Sequence, residues 1–131
     1  MINFFSKYKI IFYLCNLILI SLYLFPCSIL GLIINNSCQL QPQLTPDFIV
    51  STNHFYAFLI LSLIGFFTYK KLEKIKILSI YLIIISIILE FMHYFIPERS
   101  FELPDLFGNL VGVIIVIIVF NLFKKYEDSK N

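Results

Sequence analysis

The sequence predicts an all-α fold: an integral membrane bundle of four transmembrane helices, with both termini in the cytoplasm. Three observations lead there. Of the 131 residues, 60% are hydrophobic and 14% charged, against about 45–50% and about 25% in soluble domains. The mean hydropathy is +0.90. A water-soluble fold of this length has no place to hide so much apolar surface, so the bilayer is the expected solvent, and residues 1–131 read as one membrane domain. Apolar runs separated by short polar segments recur along the chain, and all but one of the lysines and arginines fall on one side of the arrangement those runs imply.

The first run covers 10–34, with Asn16 as its most polar member. A span needs about 20 residues, so this run can cross with tilt. Pro26 within it predicts a kink. A signal peptide is the alternative, but its apolar core is typically about 7–15 residues, and no small-residue cleavage pattern follows. A retained helix is therefore expected. Residues 35–48 are a polar loop. Thr45-Pro46-Asp47 reads as a helix start, with Thr45 as N-cap, proline in the first turn and an acid favoured by the helix dipole. A second span is expected at 49–69, a tight basic turn at 70–76, a third span at 77–96, a short link at 97–104 bounded by Pro97 and Pro104, and a fourth span at 105–123 ahead of a charged tail.

Orientation follows from the basic residues. The head carries two, the 70–76 turn four and the tail three; the 35–48 loop carries none and the 97–104 link only Arg99. The acids Asp47, Glu90, Glu98, Glu102 and Asp105 then belong to the outer half. Tyr69 and Tyr126 suit the interfacial aromatic belt. The cysteines, Cys15, Cys27 and Cys38, are odd in number and lack CxxC spacing, which argues against a disulfide framework or a zinc ribbon.

This topology gathers polar residues that are distant in sequence. His54 lies about two turns into the second span, and Glu90 at a similar depth on the third. Glu90, His93 and Pro97 share one helical stripe, and Asp105, Asn109 and Gly112 another. The third and fourth spans, joined by a short link, should be antiparallel neighbours. Ionisable groups at membrane depth are functional candidates by default. Gly108 and Gly112 form a small-xxx-small pair, which reads first as helix packing and second as clearance for a ligand beside Asn109.

Taken together, Glu90-x-x-His93, Pro97-Glu98-Arg99 and Asp105-x-x-x-Asn109-x-x-Gly112, with His54-Phe55 upstream, resemble the VanZ-like family, small membrane proteins related to a teicoplanin-resistance protein. The resemblance covers about residues 45–120. It departs from the family pattern at His93 (glutamine), Glu98 (glycine), Val50 and Ser51 (an Asp-Lys pair) and Val116 (glycine). It implies a role at the bacterial cell envelope, in the cytoplasmic (inner) membrane, with a glycopeptide-resistance connection. It carries no reaction.

Three functions remain open on the residues alone. The first is binding of an anionic or lipid-linked head group in an outer-leaflet pocket, with Arg99 clamping phosphate and His93 and Asn109 lining the site. The second is a non-catalytic adaptor in which the polar cluster, including a Glu90–Arg99 or Glu90–His93 pair, locks helix register. The third is a membrane hydrolase or transferase acting on a lipid carrier, with His54, Glu90 and Asp105 as its candidate catalytic groups. Membrane lipids, a lipid-linked substrate and membrane proteins are the expected partners. Nucleic acid is not, because Lys70, Lys71, Lys74 and Lys76 read as orientation signals. Ser51, Thr52 and Ser100 lack a nucleophile elbow. No cofactor is expected, nor a metal: a di-iron site needs two Glu-x-x-His motifs and only one is present. A mononuclear site from His54, His93, Glu90 and Asp105 is the weakest of the alternatives.

Overall fold

A computed structural model of the chain describes residues 4–69 and 72–130. It is all-helical, with no strand among the described residues. Five α-helices follow in order: α1 (Phe4–Leu24), α2 (Ile29–Asn35), α3 (Thr52–Thr68), α4 (Leu72–Met92) and α5 (Leu103–Asp128). A single 3-10 turn, His93–Phe95, extends α4. Two stretches, Lys74–Phe95 and Leu103–Asp128, are long and apolar enough to cross a membrane. The α1–α2 pair would make a third if taken as one bent span. α3 is apolar but has only 17 residues, about 26 Å at 1.5 Å per residue. The outward faces suit a hydrocarbon solvent: Leu17 and Ile18 on α1, Ile77, Ile80 and Ile84 on α4, and Ile118 and Leu122 on α5 are all exposed.

Several expected boundaries move, each for a local reason. The run at 10–34 is not one helix. It breaks at residues 25–28, around Pro26, and α2 leaves α1 at 79°. Ser28 then caps α2, its hydroxyl accepting from the Gly31 N–H at 3.0 Å. The break brings Cys27 out of the helix and opposite Cys38, with Cα atoms 5.0 Å apart, and the two form a disulfide. The cysteine count and spacing argued against a disulfide framework, and this one bridge corrects that expectation. Only the fold of the 25–38 segment decides that pairing, which spacing could not reveal. Cys15 remains free.

Thr45 does not start a helix. α3 begins at Thr52, and its cap comes from upstream: one Asp47 carboxylate oxygen accepts from the Thr52 N–H at 2.8 Å and from its hydroxyl at 3.1 Å. An acid here is favoured, as the sequence suggested, but it reaches in from the loop. Residues 72–76 belong to α4 rather than to a turn; residues 70 and 71 of that expected turn lie outside the described residues. α5 starts at Leu103, with Pro104 in its first turn, and runs on to Asp128 through most of the expected tail.

The buried core joins Phe12 and Leu19 of α1, Phe58, Leu61 and Phe66 of α3, Leu78, Leu82 and Leu89 of α4, and Val113 and Val116 of α5. α4 and α5 are neighbours, but α5 makes its most extensive contact with α3. Gly108 and Gly112 explain why. A Cβ on Gly108 would lie 2.5 Å from the Ser51 carbonyl oxygen, and one on Gly112 would lie 2.6 Å from that of Phe55. Their bare backbone lets α3 come close, so the glycines serve packing. Near the opposite end of the bundle, the buried Asn16 amide donates to the Tyr81 hydroxyl and Tyr69 donates to the Tyr13 hydroxyl at 3.0 Å.

Candidate functional site

The broken end of α1, the N-termini of α3 and α5 and the C-terminus of α4 converge at one end of the bundle. Each supplies polar side chains to one cluster. His54 comes from the first turn of α3, Glu90 and His93 from the end of α4, and Asp105 and Asn109 from the first two turns of α5. All of these but Asp105 are buried, and Glu90 and Asn109 have no exposed surface at all.

Tyr23, in the last turn of α1, ties the cluster together. Its hydroxyl donates to Asn109 Oδ1 at 2.6 Å and lies 3.0 Å from His54 Nδ1. Its ring stacks on His93, with centroids 5.8 Å apart. Sequence reasoning did not single it out. A tyrosine in an apolar run resembles any interfacial aromatic, and its only signal was its place three residues before Pro26, where the helix must end.

The hydrogen bonds determine where protons sit. Asn109 Nδ2 donates to the Ser86 carbonyl at 3.2 Å, which fixes the amide so that Oδ1 faces Tyr23 and His54. Tyr23 has already given its proton to that Oδ1. His54 Nδ1, 3.2 Å from the same oxygen, must therefore carry a hydrogen. His54 Nε2 faces Asp105 Oδ2 at 3.3 Å. A nitrogen lone pair and a carboxylate oxygen repel unless a positive charge or a proton lies between them. The second histidine is held the same way. His93 Nε2 lies 3.2 Å from the Tyr23 carbonyl and must donate to it, while Nδ1 lies 3.2 Å from Glu90 Oε1. That oxygen also accepts from the Glu102 N–H at 3.1 Å, which pins the link to α4. Each histidine therefore turns one nitrogen to a neutral acceptor and the other to a carboxylate, and pairing of this kind is the condition for keeping charge inside an apolar bundle.

Arg99 departs from expectation. It makes no salt bridge with Glu90 or any other described acid. Its Nε donates to the Phe25 carbonyl at 3.2 Å, and one Nη donates to those of Leu22 and Cys27 at 3.3 Å each. The kink strands these carbonyls, and the planar guanidinium is the side chain best shaped to collect them. Partial burial lowers the Arg99 pKa from its ordinary value, and Tyr23, Asp105 and Glu90 oppose that shift; an arginine stays charged regardless. Of the two pairs expected for Glu90, the one with His93 is present. The hydroxyls of Thr52 and Ser100 are occupied, donating to the Thr45 carbonyl at 2.6 Å and to Glu102 at 3.0 Å.

Two cavities meet at this cluster. The larger, 480 Å³, lies between the broken α1, the 41–44 segment and α3; its walls are largely apolar, with Leu22, Ile29, Leu30, Ala57 and Ile60, and its floor holds Tyr23, His54, His93 and Arg99. The smaller, 220 Å³, is polar, with Gln39, Glu98, Ser100, Glu102 and Asp105. Ser28, Gln41, His93 and Arg99 border both. The Cys27–Cys38 disulfide and a bond from the Ser28 N–H to the Cys38 carbonyl at 3.1 Å hold the loop against this end of the bundle. Comparison with protein-family models, curated proteins and solved structures finds no match for this chain.

Proposed function

We propose that the chain is a VanZ-like protein of the bacterial inner membrane that binds an amphiphile with an anionic or lipid-linked head group at the outer-leaflet end of the bundle. The observation that carries this reading is the meeting of an apolar and a polar cavity at His93 and Arg99. An amphiphile has the same two-part character: chains suit the 480 Å³ cavity, which is in the usual size range for ligand sites, and a head group suits the 220 Å³ one. Arg99 supplies the positive charge, although its Nε and one Nη are engaged by α1 carbonyls.

The membrane arrangement in this proposal has four spans, N-in and C-in. It counts α1–α2 as a broken span and α3 as a short one lengthened by the capped 45–51 segment. The one-sided lysines support it. So does the disulfide at the opposite end, since disulfides persist on the oxidising side of a membrane. The family reading draws support from the link. Where the VanZ-like pattern has glycine before arginine, Glu98 has φ 62°, a left-handed conformation that favours glycine.

Lipid mass spectrometry on the gently purified protein tests the proposal, with wild type beside Ala57→Phe. Ala57 lines the apolar cavity and touches none of the polar cluster's hydrogen bonds. The expected result is a defined anionic or isoprenoid-linked lipid retained by wild type and lost from the variant. Identical bulk lipid in both refutes it. A reporter at residue 131 that appears outside refutes the arrangement. A second reading, a membrane adaptor, rests on the way the cluster ties α1, α3, α4 and α5 together through bonds that need no ligand. It gains if lipid content is unchanged and a membrane protein co-purifies only with a variant set in which the cluster is intact.

A further inference from the structure

We infer that His54, Glu90 and Asp105 form a binding site for one divalent cation of the zinc class. One ligand atom from each lies within 4.8 Å of the others. They come from α3, α4 and α5, so the site spans three helices at the same end of the bundle.

Three observations point to a cation. The hydrogen bonds of Asn109 and Tyr23 place the His54 proton on Nδ1, leaving the Nε2 lone pair aimed at Asp105 Oδ2. Their separation is 3.3 Å. It matches the edge of a tetrahedron, about 3.3 Å for ligands about 2.0–2.1 Å from zinc. Finally, Glu90 Oε2 is completely buried with no hydrogen-bond partner, and lies 3.7 Å from His54 Nδ1. Burying an unpartnered carboxylate oxygen is costly, and a cation is the partner it lacks.

The surroundings fit as well. A metal-bound histidine usually donates its other N–H to a nearby acceptor, as Nδ1 does here towards Asn109. One imidazole and two carboxylates, with no thiolate, suit zinc or manganese rather than a soft ion. Two carboxylates offset the double charge of the cation. Access runs through the polar cavity, where Asp105 is partly exposed and Glu98 and Glu102 stand on the wall. Of the three ligands Asp105 lines that cavity, and three protein ligands leave a fourth position for a small ligand. This inference does not depend on the amphiphile reading.

The test uses the full chain in detergent, loaded with zinc chloride, desalted, and assayed for retained metal by elemental mass spectrometry, with calorimetric titration alongside. Wild type is expected to keep one zinc per chain. Asp105→Asn and Glu90→Gln should each lose it, Glu98→Gln should keep it, and Tyr23→Phe, which frees the His54 ring, should weaken binding about tenfold. Cobalt should give the visible bands of a tetrahedral N/O site in wild type. Wild type retaining no zinc overturns the inference by itself, whether or not any variant folds; a proton then does the bridging. So does equal retention in wild type, Asp105→Asn and Glu90→Gln.

Discussion

Placing alanine at Gly112 is the most direct probe of how the site is assembled. The new Cβ would stand 2.6 Å from the Phe55 carbonyl oxygen and 2.9 Å from the Leu59 nitrogen. Both are backbone atoms, so no rotamer change relieves the overlap. Ordinary contact begins at 3.4 Å, so α3 and α5 must separate by roughly 0.8 Å. Overpacking costs about 1–3 kcal/mol, here the upper half of that range because two backbone atoms lie under 3.0 Å, and is offset by about 1 kcal/mol from replacing a helical glycine with alanine. The net is a loss of about 1–2 kcal/mol and a drop in melting temperature of a few degrees. Gly108→Ala meets the Ser51 carbonyl at 2.5 Å on the same ridge. One displacement relieves both clashes, so the double variant should lose clearly less than the sum of the singles. Gly65→Ala is the internal control. Its nearest atoms are side-chain ends, Phe12 Cε2 at 2.9 Å and a Leu78 methyl at 3.1 Å, so it should be close to neutral. Thermal unfolding of wild type and the four variants, followed by circular dichroism, checks this. Equal melting temperatures for Gly112→Ala and wild type, or strict additivity of the two singles, would refute the packing account.

Other measurements follow from the same geometry. Glu98→Gly removes a side chain from a backbone at φ 62° and should stabilise by about 1 kcal/mol, read as a rise in melting temperature; a fall would mean that the carboxylate matters more than the turn. Asp47→Ala strips the cap from α3 and should cost about 1 kcal/mol, with faster amide exchange confined to Thr52 and its neighbours. Cys27→Ser should lose about 3 kcal/mol, the loop-closure value for a bridge across 11 residues. In wild type, only Cys15 should react with maleimide after unfolding without reductant, and labelling of all three cysteines would rule the bridge out.

The membrane character and the location of the polar site were legible in the chain itself, because both are local properties. Apolar runs exceed what a soluble core can bury. The acids and histidines stand out against them, and helical spacing puts Glu90 with His93 and Asp105 with Asn109 on common stripes. Pro26 marked the break for the same reason: a missing N–H and a ring clash act wherever the residue sits.

What tertiary structure alone decided was which partner each group meets. Arg99 carries a charge that suggested a carboxylate, yet the kink leaves three carbonyls within its reach, and hydrogen-bond geometry favours them. Cys27 and Cys38 looked unrelated until the break in α1 turned one towards the other. Tyr23 was one of eight tyrosines in the sequence, and only its buried hydroxyl at the end of α1 distinguishes it. Composition and periodicity report what a residue prefers along its own helix. The pairing of His54 with Asp105, and the unpartnered oxygen of Glu90 beside them, depend on how closely α3, α4 and α5 approach, and the α3–α5 distance is set by the absence of a Cβ at Gly108 and Gly112.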